Sequence, residues 1–392
     1  MKGSENPRAF LLLLAVLGML GPLTLNIPMP SLPSLPKALD TTKEAAQLTF
    51  SLFLFGMALS QLALGPLADR YGRRPVLLVS LTTYVLSSLA ATLAPNIGVL
   101  IVARIFQSAG ATAGLTLGRT MIRDRHSQDH AASMIGYVTM AVVIAPMIAP
   151  SLGAFIDEAF GWRAILLFCT LFGLGSLLLA LPYLPETRPA GLVAASMTEV
   201  FRRSVRLIRT PRYMAYWGAT AFASAQFYCF LGTSPHLMID LVGTSKAEFG
   251  LWFISLSGGY MIGNFISGRF AQKLGIDMLI FWGNVFGLLG GVTILVPALF
   301  GILTPLTLFI PAFLLSIGNG LVLPNAIAGG IGVDPSAAGA GSGRMGFGQI
   351  GVGAVLSFFS AKWSVDSALP LAFLILFSAI LAQASGWLSR NL

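Results

Sequence analysis

The chain has 392 residues, 55% of them hydrophobic and only 10% charged, with a formal net charge of +9. Water-soluble domains average about 25% charged residues, so a soluble enzyme or regulator is excluded. Apolar runs are long and continuous rather than short and alternating, which excludes a transmembrane barrel and leaves helices to satisfy the backbone in lipid.

A hydrocarbon layer about 30 Å thick takes about 20 apolar residues per helix, so the chain has room for about twelve crossings. The pattern predicts an all-α membrane protein with spans at 9–30, 47–68, 76–94, 97–118, 131–156, 164–184, 213–235, 249–268, 276–298, 303–330, 340–361 and 367–389. Lys2 and Arg8 precede the first run, but it is too long for a secretory signal and has no small-x-small cleavage site, so it is expected to stay as a helix. It closes in TLNIPMPSLP (24–33). Here Pro28, Pro30 and Pro33 mark the exit from the membrane, and Asn26 is expected to line a cavity.

After the second span comes GPLADRYGRRP (65–75). Gly65 and Gly72 are expected to permit a tight turn. Asp69 is expected to face the positive amino end of a neighbouring helix, near Gly341–Arg344, while Arg70 and Arg73 stay in the aqueous phase and pair across the loop. In the fourth span Arg104 lies about seven residues in, roughly 10 Å deep at 1.5 Å per residue. A central arginine costs about 2.5–3.5 kcal/mol on insertion scales, so a cavity or an internal partner is expected for it. Gln107 shares its helix face. The fifth span carries Pro146, Pro150 and Gly153. The series Gly110, Gly114, Gly118 and Gly283, Gly287, Gly291 predict close helix contacts. Cys169 and Cys229 both fall inside spans and imply neither a disulfide framework nor a metal site.

The polar segment 186–212 divides six spans from six. It is read as a cytoplasmic linker between an amino-terminal six-helix bundle (1–185) and a carboxy-terminal one (213–392). Arg202, Arg203, Arg206 and Arg209 sit on an amphipathic helix expected to lie on the membrane surface. GRFAQKLG (268–275) echoes GPLADRYG (65–72) at the corresponding place in the other half, with Gln272 where Asp69 stands. Such an internal repeat marks a transporter of two pseudo-symmetric bundles around a central cavity. Met57, Tyr137, Gln226, Tyr260, Asn264, Asn319 and Gln349 are the soft or polar residues expected to line it with Asn26, Arg104 and Gln107.

Eighteen of the 24 Lys and Arg residues fall on one set of loops and five on the other, with Arg104 inside a span. This bias predicts that both termini are cytoplasmic. The net charge then answers to anionic lipid, and a nucleic-acid partner is not expected. Gly341–Gly346 matches GxGxxG, but no strand precedes it, so it is read as the small-residue start of the eleventh span. His126 and His130 have ligand spacing without a third ligand, and no nucleotide-phosphate loop is present.

GPLADRYGRRP resembles the loop signature of the major facilitator superfamily. RIFQSAGA (104–111) is similar to its fourth-helix pattern, and APMIAPSLG (145–153) to the fifth-helix proline–glycine pattern of its exporters. RTMIRD (119–124) and SPHLMID (234–240) resemble the bicyclomycin/chloramphenicol-resistance (Bcr/CflA) branch of drug:proton antiporters. The resemblance implies multidrug export from a bacterial inner membrane by alternating access, a core functional role for Arg104, and proton coupling. It also implies an acid where this chain has Asn26, which cannot titrate. All fifteen acids fall in loops or at span edges, so the residues themselves do not supply that coupling. A proton-independent facilitator or metabolite exporter is the alternative, and a non-transporting receptor or scaffold the second. No enzyme activity, cofactor or metal is expected. The proton is the one candidate coupling ion, the partners are a small-molecule substrate and membrane lipid, and a monomer is expected.

Overall fold

The computed structural model of the chain describes residues 7–125, 128–188, 202, 206–334 and 338–392. Twelve helices of 20 residues or more occur among the described residues: α1 (Pro7–Asn26), α2 (Lys43–Tyr71), α3 (Arg73–Thr92), α4 (Ile97–Arg125), α5 (Gln128–Phe160), α6 (Trp162–Tyr183), α7 (Pro211–His236), α8 (Lys246–Leu274), α9 (Ile276–Leu299), α10 (Pro305–Val333), α11 (Ala338–Trp363) and α12 (Leu369–Asn391). Among the described residues, nine helical stretches are long and apolar enough to cross a membrane. The chain is a multi-pass membrane protein. The helix α7 is sheathed by α10, α11 and α12 and buries small and polar residues such as Ser224 and Gln226.

Local chemistry sets the helix ends. Thr42 accepts from the Ala45 N–H at 3.2 Å to start α2, and Ser245 accepts from the Glu248 N–H at 3.0 Å to start α8. Gly72 (φ 99°) and Gly275 (φ 80°) end α2 and α8 in a backbone region that side chains disfavour. Gly65 does not take part in that turn, contrary to the sequence expectation. It lies inside α2, since an isolated glycine weakens a long helix without breaking it. The first helix stops at Asn26 rather than near residue 30. The prolines that follow lack a donor, and the chain tightens into a 3₁₀ turn (Met29–Ser34) and a short helix (Leu35–Ala38). The fourth helix instead runs on to Arg125, carrying its basic residues on regular backbone.

In the first half, α1 packs on α4 and α5, α4 also on α2 and α3, and α3 on α6. In the second, α7 packs on α10, α11 and α12, α10 on α8 and α9, and α9 on α12. Two main seams join the sets: α2 against α11, and α5 against α8. The closest approaches are made at glycines. A Cβ on Gly114 would lie 2.0 Å from the Leu17 carbonyl oxygen, and one on Gly153 would lie 1.9 Å from that of Ile27. Most of the linker lies outside the described residues, as does His126. Within the described part, Leu207 is buried beside Tyr213 and Gly341.

Candidate functional site

The interior of the first half holds one connected polar group built around α4. Arg104 is 4% exposed, and its Nη1 donates to the Thr24 carbonyl at 3.2 Å and to Gln107 Oε1 at 2.7 Å. Gln107 Nε2 donates to Ser88 Oγ at 2.8 Å, and Ser88 Oγ donates to the Tyr84 carbonyl at 2.6 Å. Thr24 Oγ1 and the Tyr84 hydroxyl share a hydrogen bond of 2.6 Å. The guanidinium carbon lies 4.0 Å from the Phe53 ring centroid. Carbonyl and amide dipoles and a ring face thus receive the charge. Arg104 also forms part of the wall of a cleft with Leu25, Phe50 and Trp162.

Asn26 follows Thr24 by two residues and is 4% exposed. Its Nδ2 donates to the Pro22 carbonyl at 2.7 Å, and its Oδ1 has no partner. Met57 touches the Gly21 position of α1. Tyr260 and Asn264 lie together on α8, and Gln349 is half-buried on α11. Asn319 is buried with its Oδ1 unpartnered. One expected lining residue stands elsewhere: Gln226 points into the second set of helices against Gly287 of α9, while Tyr137 is 64% exposed. Thr24, Tyr84 and Ser88 were missed in the sequence. The i, i+4 hydroxyl pattern of Tyr84 and Ser88 on α3 is the signal that marks them.

At the α2–α3 end a second network forms. Arg73 is 4% exposed, and its side chain pairs with Asp69 and with Asp124 of α4, the latter at 3.0 Å. Thr187 Oγ1 donates to the same Asp124 carboxylate. Arg70 is exposed, and its carbonyl accepts from Arg188. Asp69 is therefore engaged within its own half, and another residue of α2 packs against the start of α11. Gln61 of α2 packs against Gly343 and Gly346, the latter so closely that a Cβ would lie 1.5 Å from Oε1. The fifth-helix residues fit the same pattern of close approach: Pro150 is buried, Pro146 half-buried, and Gly153 meets Ile27.

Glu186 closes this network by capping α3 from outside the helix. Its carboxylate accepts backbone N–H bonds from Arg73, Arg74, Thr187 and Arg188. Partial burial pushes its pKa up, and the four amide donors outweigh that and hold it below the ordinary value of 4.5. A depressed carboxyl stabilises the fold above its unfolded pKa, and that contribution fades as pH falls through the folded value. Glu186→Gln should therefore lower the melting temperature near neutral pH, with the gap to wild type closing below pH 4.5. Thermal unfolding at a series of pH values checks it, and a gap that persists in acid would contradict the cap.

The opposite end of the molecule carries a tie between the halves. Asp157 of α5, its side chain 4% exposed, pairs with Lys246 of α8 and accepts from Ser31 Oγ at 2.9 Å. Beside it Gly250 meets the backbone of Ser151. Removing one partner of a buried pair strands the other charge, at about 3–5 kcal/mol. Lys246→Ala should widen the α5–α8 separation at this end, measured by spin-label distances, and an unchanged distance distribution would show that the tie holds nothing. A neighbouring cleft is lined by Lys43, Glu44, Gln47, His236, Asp240 and Lys362. There His236 Nδ1 and Asp240 are 2.6 Å apart.

Residues 14–358 match the profile of the Major Facilitator Superfamily. The chain is 26% identical to the bicyclomycin resistance protein homolog of Haemophilus influenzae, over 93% of this chain and 92% of that protein. It is 29% identical to multidrug resistance protein D of Escherichia coli, over 88% and 87% respectively. It is 27% identical to a chloramphenicol resistance protein of Pseudomonas aeruginosa, over 79% and 73%.

Proposed function

This chain belongs to the Major Facilitator Superfamily, and on that premise we propose that it is a secondary exporter of small, partly apolar compounds, drugs among them. It has no enzymatic role. The observation that carries the reading is the construction of the two main seams. Along α2–α11 and α5–α8 the halves meet through small and amide residues, Gln61 on Gly343 and Gly346, and Ser151 on Gly250. Two six-helix bundles joined along two close seams of this kind can rock about a central site between inward-open and outward-open states. A substrate drives the exchange only through different affinities for the two states. In this reading the protein lies in a bacterial inner membrane with the Asp69–Glu186 network and both termini in the cytoplasm, and the Asp157–Lys246 tie closes the outer side.

Two readings of coupling follow. The family resemblance favours proton antiport. Asn26 favours a proton-independent exporter: every described carboxylate lies in a loop, in the π-helical turn Leu237–Val242, or within three residues of a helix end. We favour weak dependence on a pH gradient in wild type. Asn26→Asp places an acid two residues beyond the carbonyl that binds Arg104 and should gain proton-driven uptake. Counterflow in proteoliposomes tests transport itself. Accumulation into inverted vesicles with an acidic lumen, wild type beside variant, tests coupling. Strong accumulation by wild type would place the coupling group elsewhere, with His236 and Asp240 the first pair to examine.

A further inference from the structure

A second cleft lies where the two halves meet at the Asp157–Lys246 end. It holds about 580 Å³, its open mouth included, between the amino end of α2 and the carboxyl ends of α7 and α11. Its sides are apolar and stiff: Pro33 and Pro36 from the turns after α1, Pro235 of α7 and Phe358 of α11. Two cations, Lys43 and Lys362, and two acids, Glu44 and Asp240, stand at its exposed rim. Leu32 is the wall it shares with the cleft beside Arg104.

The polar groups inside are not equally free. Both ring nitrogens of His236 are engaged: Nδ1 lies 2.6 Å from Asp240, and Nε2 lies 2.8 Å from the Val365 carbonyl. The Gln47 amide is not. Gln47 is 8% exposed, and its Nε2 has no hydrogen-bond partner. This nitrogen sits at the cleft wall beside Gly232 of α7, 2.8 Å from where a Cβ on that glycine would stand. Ser357 Oγ of α11 comes to the same glycine, fully buried and also unpartnered. One half, through α2, and the other, through α11, thus each bring an open donor to one point on α7.

A buried donor without an acceptor is costly, and an arriving acceptor relieves it. A carbonyl oxygen has two lone pairs and can receive two donors. The rim charges cancel, so nothing there favours an anion over a cation, and burying a net charge against prolines and a phenyl ring is unfavourable. We propose that this cleft is a small-molecule binding site, separate from the polar group around Arg104, and that its ligand is a compact neutral compound, an apolar ring bearing one carbonyl. A ligand there touches α2 of the first half and α7 and α11 of the second, so it holds the halves together at this end.

Four probes with one Y-shaped aryl skeleton test it: acetophenone, α-methylstyrene (the same shape without an acceptor), benzoate and benzamidinium. Ala361→Cys places a thiol on the cleft wall, and the native Cys169 and Cys229 are buried. In the full-length protein in nanodiscs, acetophenone should protect that thiol from N-ethylmaleimide. Half-protection should come at a free aqueous concentration at least about 10-fold lower than for α-methylstyrene or benzamidinium, with benzoate also behind acetophenone. Gln47→Leu in the same background should raise the acetophenone value about 10-fold and change the α-methylstyrene value less than about twofold. Size-exclusion profiles confirm that the variants fold, and melting-temperature shifts in the chain with its native Ala361 should rank the probes in the same order. Equal protection by acetophenone and α-methylstyrene, first place for either ion, or no effect of Gln47→Leu would each overturn the proposal. Protection by none of the four would show that the open donors hold water only, and would overturn it too.

Discussion

Replacing Arg104 with alanine is expected to reduce transport by about 100-fold or more, equivalent to about 2.7 kcal/mol in the limiting step, while leaving an inserted, folded protein. The guanidinium organises α1, α2, α3 and α4 at one point through Thr24, Phe53, Gln107 and, through Gln107, Ser88. Its loss strips two buried acceptors of a charged donor, at about 1–3 kcal/mol each, partly repaid because a membrane-buried cation is also gone. Stability therefore moves less than function. Arg104→Lys should rescue poorly, because an ammonium on a flexible stem cannot hold two fixed acceptors and a ring face together. Counterflow rates normalised to folded protein decide the matter, and full transport by the alanine variant would reduce Arg104 to packing.

Gly153→Ala is expected to be the most damaging small substitution in the first half. Its Cβ would sit 1.9 Å from the Ile27 carbonyl oxygen, a backbone atom that no side-chain rotation can move. Overpacking of a tight interior costs about 1–3 kcal/mol when side chains can yield, and this contact gives them no such route. The variant should unfold at markedly lower temperature and lose the α1–α5 contact. Gly175 on α6 has nothing within 4 Å of the same added atom, so Gly175→Ala should be neutral or slightly stabilising. Equal melting temperatures for the two variants would refute the packing account.

Much of the fold was legible because lipid leaves the chain few choices. Apolar runs of span length, broken by charge, read directly as helices, and Arg104 stood out as an expensive residue that needed a reason. The helix ends were less legible. Regular hydrogen bonding does not stop at the hydrocarbon edge, so α4 runs through Arg119, Arg123 and Arg125. Contacts across the chain were hidden altogether. Asp69 looked free to reach α11, but Arg73 lies one turn away on adjoining backbone and takes it. Glu186 looked like an ordinary loop acid, and only the folded chain brings it to the open amino end of α3. Gln226 has the polarity of a lining residue, and the glycine on α9 that makes room for it turns it inward.

The tie between Asp157 and Lys246 also bears on the surroundings in which the protein works. Dissolved salt weakens attraction between exposed charges over about 10 Å at 0.1 M, and it reaches buried charges far less. Asp157 has only 4% of its side chain in contact with solvent, and its hydroxyl partner Ser31 is buried with it. The tie between α5 and α8 should therefore hold equally at low and at high salt. Solvent reaches more readily the pair at the end of α7, where the Asp240 side chain is 32% exposed beside His236. At that end the contact between the halves is insulated from salinity.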